Sequence, residues 1–290
     1  REPFHPLFGA MPRTTLGLEL QVTKEYLGFA THLAYLGPLY QEVLRADTGR
    51  PGEGTVARVI EGDSPRISVI AGVANTGRDR NWTGSQFDQA NWYVFGRLAW
   101  SPGADVRDIA REWVQRTFAV PPAAELAIIE MMMESREAVV DYMTPLGLAH
   151  LMGTGHHYGP APWVSDLSRP EWNPVYYHRA DADGIGFDRT SSGSNALSQY
   201  AAPVAARFAD PARTASEYLL WFHHVSWRTV LPTGRRLWEE MLHHYDRGVA
   251  TVGRWQKQWA SLAGQIDGGR HQQVAEMLEV QAREARWWRD

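Results

Sequence analysis

The chain has 290 residues, 44% of them hydrophobic and 21% charged, with a formal net charge of -4 and no cysteine. That length allows one large domain or two smaller ones with a substantial core, in the compositional range of an ordinary globular protein. The acidic balance, without a basic arm or stripe, argues against a nucleic-acid partner, no apolar run reaches the roughly 18 residues of a membrane span, and the absent cysteines exclude disulfides, thiol chemistry and thiolate-bound zinc.

The chain begins at Arg1 on REPFHPLFG and stops at Trp287-Trp288-Arg289-Asp290 within a run of helical character, which predicts a fragment of a longer protein. It shows no signal-peptide pattern; the expected location is cytoplasmic, with export of the full-length parent left open. Residues 16–23 (LGLELQVT) alternate well enough for a strand. Residues 31–44 carry Leu33, Leu36, Tyr40, Val43 and Leu44 at helical spacing, and 67–73 (ISVIAGV) form an apolar, β-branched run typical of a buried strand. With a helix over 89–100, this is the βαβα alternation of a parallel α/β fold, as in the last units of a barrel. Site residues would then follow the strand ends, around 23–26 and 74–77.

From about residue 86 the chain reads as helix and loop. Helices are predicted over 105–118, 122–142, 195–208, 214–225, 233–265 and 269–289. Trp238, Met241, Leu242, Tyr245, Val249, Val252 and Trp255 form a stripe that reads as core or partner burial. The predicted fold is therefore α/β and then mainly α, with 1–85 and 86–290 as its two parts.

Residues 156–190 read HHYGPAPWVSDLSRPEWNPVYYHRADADGIGFDRT. Pro160, Pro162, Pro170 and Pro174 each remove an N–H donor and clash with a preceding turn, so no helix is expected. An ordered loop this long, dense in aromatic, His and Asp side chains, reads as the wall of a site, and aromatic planes beside polar groups suit a sugar ring. Adjacent histidines usually point apart, so His156-His157 are poor metal ligands. The pairs His223-His224 and His243-His244 are expected on helices, one of each buried and one exposed. Asp181-x-Asp183 begins a run with Gly186 sixth, yet Ile185 and Ser192 occupy positions where a calcium loop needs oxygen ligands. Turn chemistry is the alternative, with these aspartates bonding nearby N–H groups or orienting Arg179 or Arg189. No metal and no cofactor are expected. Asn81-Trp82-Thr83 is a glycosylation sequon by letter, and the chain has no nucleophile elbow, P-loop or dinucleotide fingerprint. Among the carboxylates Glu2, Glu19 and Glu25, one at a strand end beside aromatics could act as a general base, whereas Glu2 taken alone reads as a surface residue.

Together, REPFHPLFGAMPRT, ELQVTKEYLG, the AGVAN to QANWYVFGRLAW segment, HHYGPAPW, YYHRADADGIGFDRT and YLLWFHHVSW resemble the blocks of the microbial α-glucuronidases of glycoside hydrolase family 67, in their order and over essentially the whole chain. The resemblance implies an N-terminal β domain, a central (β/α)8 barrel and a helical, dimerising C-terminal domain. Residues 1–85 would be the end of the barrel, and 86–290 the helical domain, forming a homodimer. That family removes (4-O-methyl-)glucuronic acid α-1,2-linked to the terminal xylose of glucuronoxylan-derived oligosaccharides, with inversion. Inversion uses an acid and a base carboxyl roughly 6.5–9.5 Å apart. In the family an Asp and a Glu share the base role. The Glu carries over to Glu2, while the acid, the partner Asp and most uronate-binding basic residues would precede Arg1. The resemblance sets the 156–190 loop near the barrel mouth, with Trp163, His157, Tyr158 and Arg179 as substrate-binding members. It sets Tyr176 and Tyr177 in domain packing, and His150 where some relatives carry an aromatic pocket residue. The competing reading is a non-catalytic oligomerisation or carbohydrate-binding module.

Overall fold

In the computed structural model of the protein, the described residues are 17–22, 24, 32–48, 54–62, 68–74, 78, 85–155 and 158–290. The two predicted strands form: β1 (Gly17–Gln21) lies parallel to β2 (Val69–Val73), with Gly17 opposite Val69 and Gln21 opposite Val73, but β2 is largely exposed and not the buried strand expected. A parallel pair needs a crossover connection, and α1 (Gly37–Arg45) and α2 (Val56–Glu61) lie within it. The rest is mostly helical: α3 (Gln86–Trp100), α4 (Val106–Phe118) and α5 (Pro122–Met143) come first, then the antiparallel pair β3 (Met152–Gly153) and β4 (Tyr158–Pro160). Next are α6 (Pro174–His178), β5 (Gly184–Ile185), α7 (Ala202–Phe208), α8 (Leu219–Phe222) and β6 (Val225–Ser226), which pairs with β5. The long helices α9 (Leu237–Ala260) and α10 (Gly268–Arg289) close the chain. No helix among the described residues is long and apolar enough to cross a membrane.

Several predicted helices are shorter than their hydrophobic spacing suggests. The helix expected from residue 31 starts only at Gly37, because Pro38 cannot sit inside a helix begun seven residues earlier. The expected 195–208 helix splits into a 3-10 turn, Ala196–Gln199, and α7, whose first turn holds Pro203. The 214–225 helix reduces to a 3-10 turn at Ser216–Tyr218 and the four residues of α8, since Val225 pairs with Ile185 in a strand. Residues 233–236 lie in a turn closed by the Val230–Arg236 bridge, so α9 begins at Leu237. Helix α2 carries no periodic signal, being six residues long; Thr55 caps it by accepting from the Arg58 N–H at 3.3 Å.

The chain divides into two compact units. The first comprises Arg1–Lys24, Thr31–Arg136 and Arg254–Gln281. Its residues 33–36 are buried and non-helical, so their backbone needs partners from elsewhere. Asn91 of α3 accepts from the Leu36 N–H at 2.8 Å and donates to Ala34 O at 2.9 Å. Ser135 of α5 accepts from the Tyr35 N–H at 2.7 Å, and Gln281 of α10 accepts from the Leu33 N–H at 2.8 Å while donating to Leu33 O at 3.1 Å. Leaving any of these groups unsatisfied would cost about 1–3 kcal/mol. Phe87, Trp113, Phe118 and Trp259 pack nearby in the same unit with ring centroids 5.5 to 6.4 Å apart, mostly tilted or edge-on. Lys24, three residues after the end of β1, is buried and lies 2.7 Å from the Asp88 carboxylate in the first turn of α3; its ammonium also donates to His32 O.

The second unit comprises Glu25–Ala30, Glu137–Gly253 and Ala282–Asp290. Within it Asp141 of α5 is gripped by two residues of α9. Arg247 donates to both carboxylate oxygens at 2.6 Å, and His244 Nδ1 lies 2.7 Å from Oδ1. Burial works to raise the Asp141 carboxyl, but His244 and Arg247 outweigh it and hold the group below the usual carboxylate range. Phe208 stacks on Phe222 at 4.7 Å, joining α7 to α8.

Candidate functional site

The segment predicted to be a site wall is ordered by its own side chains. Asn173 is buried, accepts from the Leu167 N–H at 2.8 Å, and donates to the carbonyls of Leu167 and Arg169 at 3.1 and 2.8 Å. His178 is also buried. Its Nδ1 accepts from the Ala180 N–H at 2.9 Å, so Nε2 carries the ring proton and donates to Pro162 O at 2.7 Å. The prolines do not abolish helix here, which corrects the sequence expectation. Pro170 and Pro174 stand in the first turns of a 3-10 turn (Pro170–Trp172) and of α6, where a missing N–H costs nothing.

Turn chemistry accounts for the aspartates. Asp181 Oδ1 accepts from the N–H groups of Asp183 and Gly184 at 2.8 and 2.9 Å, and these two bonds hold its carboxyl below the ordinary range. Asp188 accepts from the N–H and hydroxyl of Thr190 at 2.8 and 2.7 Å, and from the Ser192 hydroxyl at 2.7 Å. The other expectation, that these aspartates orient Arg179 or Arg189, does not hold for Asp181 and Asp188. Those arginines are held by carbonyls and rings instead: Arg179 Nε donates to Tyr176 O at 2.8 Å, and Arg189 donates to Trp221 O. Gly186 is required where it stands, because its φ is +110° and a Cβ would lie 2.0 Å from His223 O. Gly159 in β4 likewise has φ +66°, and a Cβ there would lie 2.1 Å from the Trp287 ring.

Of the predicted substrate-binding residues, Trp163 is 69% exposed, presenting an apolar plane to solvent. Tyr158 is half-buried on β4, and Arg179 is exposed at the end of α6 in a left-handed conformation, φ 49°. The His178–Pro162 bond and the Val175 N–H to Val164 O bond at 3.5 Å bring the Trp163 stretch against α6. Glu2, His157 and the stretches 23, 25–26 and 75–77 lie outside the described residues. Tyr177 packs within the loop: its ring centroid is 4.5 Å from that of His150 and 5.2 Å from that of Tyr176. No cluster of three or more metal-ligating side chains occurs among the described residues. His223 and His224 are not on a helix, contrary to expectation; they follow α8 in extended backbone leading into β6.

His223 is buried, with Nε2 2.9 Å from the Thr214 hydroxyl, and burial pushes its imidazole pKa down. His150 is lowered for the same reason. The unfolded chain binds protons at these rings more readily than the folded one, so their contribution to stability is full above about pH 6.5 and falls away as pH drops below it. Urea unfolding at pH 7.5 and 5.5 should therefore show a loss of stability on acidification, and His223→Gln should reduce that loss. An equal loss in the variant would exclude His223 as its source.

The sequence comparisons decide what this framework belongs to. Residues 83–290 match the model for the glycosyl hydrolase family 67 C-terminus, and residues 1–82 match that family's middle domain. The chain belongs to glycosyl hydrolase family 67. Over its full length this family 67 chain is 38% identical to an α-glucuronidase of Hypocrea jecorina and 38% to a probable α-glucuronidase A of Aspergillus oryzae, covering 34% and 35% of those proteins. It is 37% identical to the α-glucuronidase A of Emericella nidulans, again over 100% of this chain and 34% of that protein. The chain thus spans about a third of the length of the curated family 67 relatives it matches.

Proposed function

We propose that this chain is the end of the catalytic barrel and the helical domain of an inverting α-glucuronidase. The enzyme would release (4-O-methyl-)glucuronic acid α-1,2-linked to the terminal xylose of xylo-oligosaccharides. The observation that carries this reading is the match of the whole chain to relatives named α-glucuronidases, within one family of glycosyl hydrolases. The parallel β1–β2 pair with helices in its crossover supports the barrel assignment for residues 1–85. Glu2 would be part of the base that activates water, with the acid and the second base carboxylate on the part of the protein preceding Arg1. Trp163, Tyr158, His157 and Arg179 would form the wall past which the xylose chain runs: Trp163 by stacking, Arg179 by charge-assisted bonds. The helical region would carry the homodimer contact.

The isolated chain should release no glucuronic acid from aldouronic oligosaccharides, whereas the full-length protein should. Turnover by the isolated chain would overturn the placement of the acid upstream of Arg1. A full-length protein that binds these oligosaccharides without cleaving them would favour a carbohydrate-binding module instead.

A further inference from the structure

We propose that Arg179 and Arg189, stacked on Phe187, form a binding site for the carboxylate of an acidic saccharide. Their guanidinium carbons lie 4.5 Å and 4.2 Å from the centroid of the same ring. Arg179 also covers Tyr176 at 4.7 Å, and Arg189 covers Trp221 at 3.8 Å. Each guanidinium is therefore clamped by two aromatic planes. Stacking fixes its orientation and leaves the N–H edge free to bond in its own plane.

Little of that edge is used by the protein. Arg179 gives its Nε proton to Tyr176 O, and among the described residues its two terminal nitrogens have no partner. Arg189 gives one terminal N–H to Trp221 O, and its Nε and other terminal nitrogen have no partner among the described residues. Neither arginine meets a carboxylate there. Elsewhere in the same unit Arg247 grips Asp141 at 2.6 Å and Arg235 lies 3.0 Å from Glu240, arrangements that Arg179 and Arg189 do not share.

The pair is also electrostatically uncomfortable. Burial lowers the Arg189 guanidinium to about 10, and the charge of Arg179 works in the same direction. Arg189, partly desolvated and beside the charge of Arg179 without a carboxylate among the described residues, is stabilised by an anion that arrives from outside. Planar forks with free edges match a carboxylate. Tyr177, packed edge-on against Tyr176, and His150 beside it add ring faces on which the C–H face of a pyranose can lie. The choice of a uronate rests on the α-glucuronidase reading; the choice of a carboxylate rests on the arginines.

The test is calorimetric titration of the 290-residue chain with D-glucuronate, D-glucose and acetate at low and high salt, with no turnover read. Glucuronate should bind at least about tenfold more tightly than glucose or acetate, and more weakly at high salt. Arg179→Gln, at an exposed position that leaves the core untouched, should weaken glucuronate by at least about tenfold with unchanged thermal unfolding. Arg189→Lys should do the same, because an ammonium keeps the charge but loses the fork. Glucuronate binding no better than glucose, or wild-type affinity in Arg179→Gln, would overturn the site. Acetate binding as tightly as glucuronate would overturn its saccharide character. A chain that binds glucuronate while the full-length protein releases none would sink the enzyme reading and leave this site standing. Loss of the site beside intact release would do the reverse.

Discussion

Asp88→Leu is expected to lower the unfolding free energy by about 3–5 kcal/mol, because it strands a buried charge. The Lys24 and Asp88 side chains are 1% and 7% exposed, and the ammonium lies 2.7 Å from the carboxylate. Without Asp88 the ammonium keeps, among the described residues, the His32 carbonyl, which offsets a fraction of the desolvation of a full charge. The pair as a whole need not stabilise the fold, since burying both ions offsets most of their attraction. Lys24→Met with Asp88→Leu should therefore recover most of what the single change loses. Urea denaturation of the wild type, the single variant and the double variant checks this. A single variant within about 1 kcal/mol of wild type would mean that Lys24 reaches solvent. The expected effect is large because the ends of the pair belong to different elements, the exit of β1 and the start of α3.

Glu2→Gln in the full-length protein should lower kcat by about 10²–10⁴-fold, the span associated with a positioned general base. That corresponds to about 3–5 kcal/mol in the barrier. Glutamine keeps the size and shape of the side chain but cannot take a proton from water, so thermal unfolding and the KM for aldouronic oligosaccharides should change little. The proposed inversion would make the loss diagnostic. The attacking water must be activated on the face opposite the leaving oxygen, and a carboxylate serving only to hold substrate would raise KM instead. Turnover within tenfold of wild type would reject Glu2 as part of the base.

How much could be read from the residues depended on the range of the interaction involved. The strand at 16–23 and the helices 105–118, 122–142 and 269–289 were legible because their apolar spacing and capping residues are local. Asp105, for example, caps α4 by accepting from the Arg107 N–H at 2.9 Å, a contact two residues long. Residues 33–36 were misread for the opposite reason. Their leucines fit a helical stripe, but the partners that satisfy their backbone outside a helix are Asn91, Ser135 and Gln281, up to 248 positions away. In the 156–190 loop the number of prolines was visible, but whether each stood in a first turn or an interior was not. The same limit applied to its arginines. Arg189 and Trp221 stand 32 residues apart and are joined only because 187–189 run alongside 220–222, with the Phe187 and Arg189 N–H groups bonded to the Leu220 and Phe222 carbonyls.

The amino-acid sequence by itself determined the family, the order of an α/β part before a helical part, and the candidate base Glu2, because long blocks of unusual composition carry that information without any geometry. Only the tertiary structure decided which side chains of the 156–190 loop are structural and which are free to bind. It made Asn173 and His178 internal ties, set Asp181 and Asp188 into turns, and left Trp163 and the edges of Arg179 and Arg189 open. The physical reason is that a polar side chain serves the fold or a ligand according to whether its hydrogen-bonding capacity is already filled, and the groups that fill it come from distant parts of the chain.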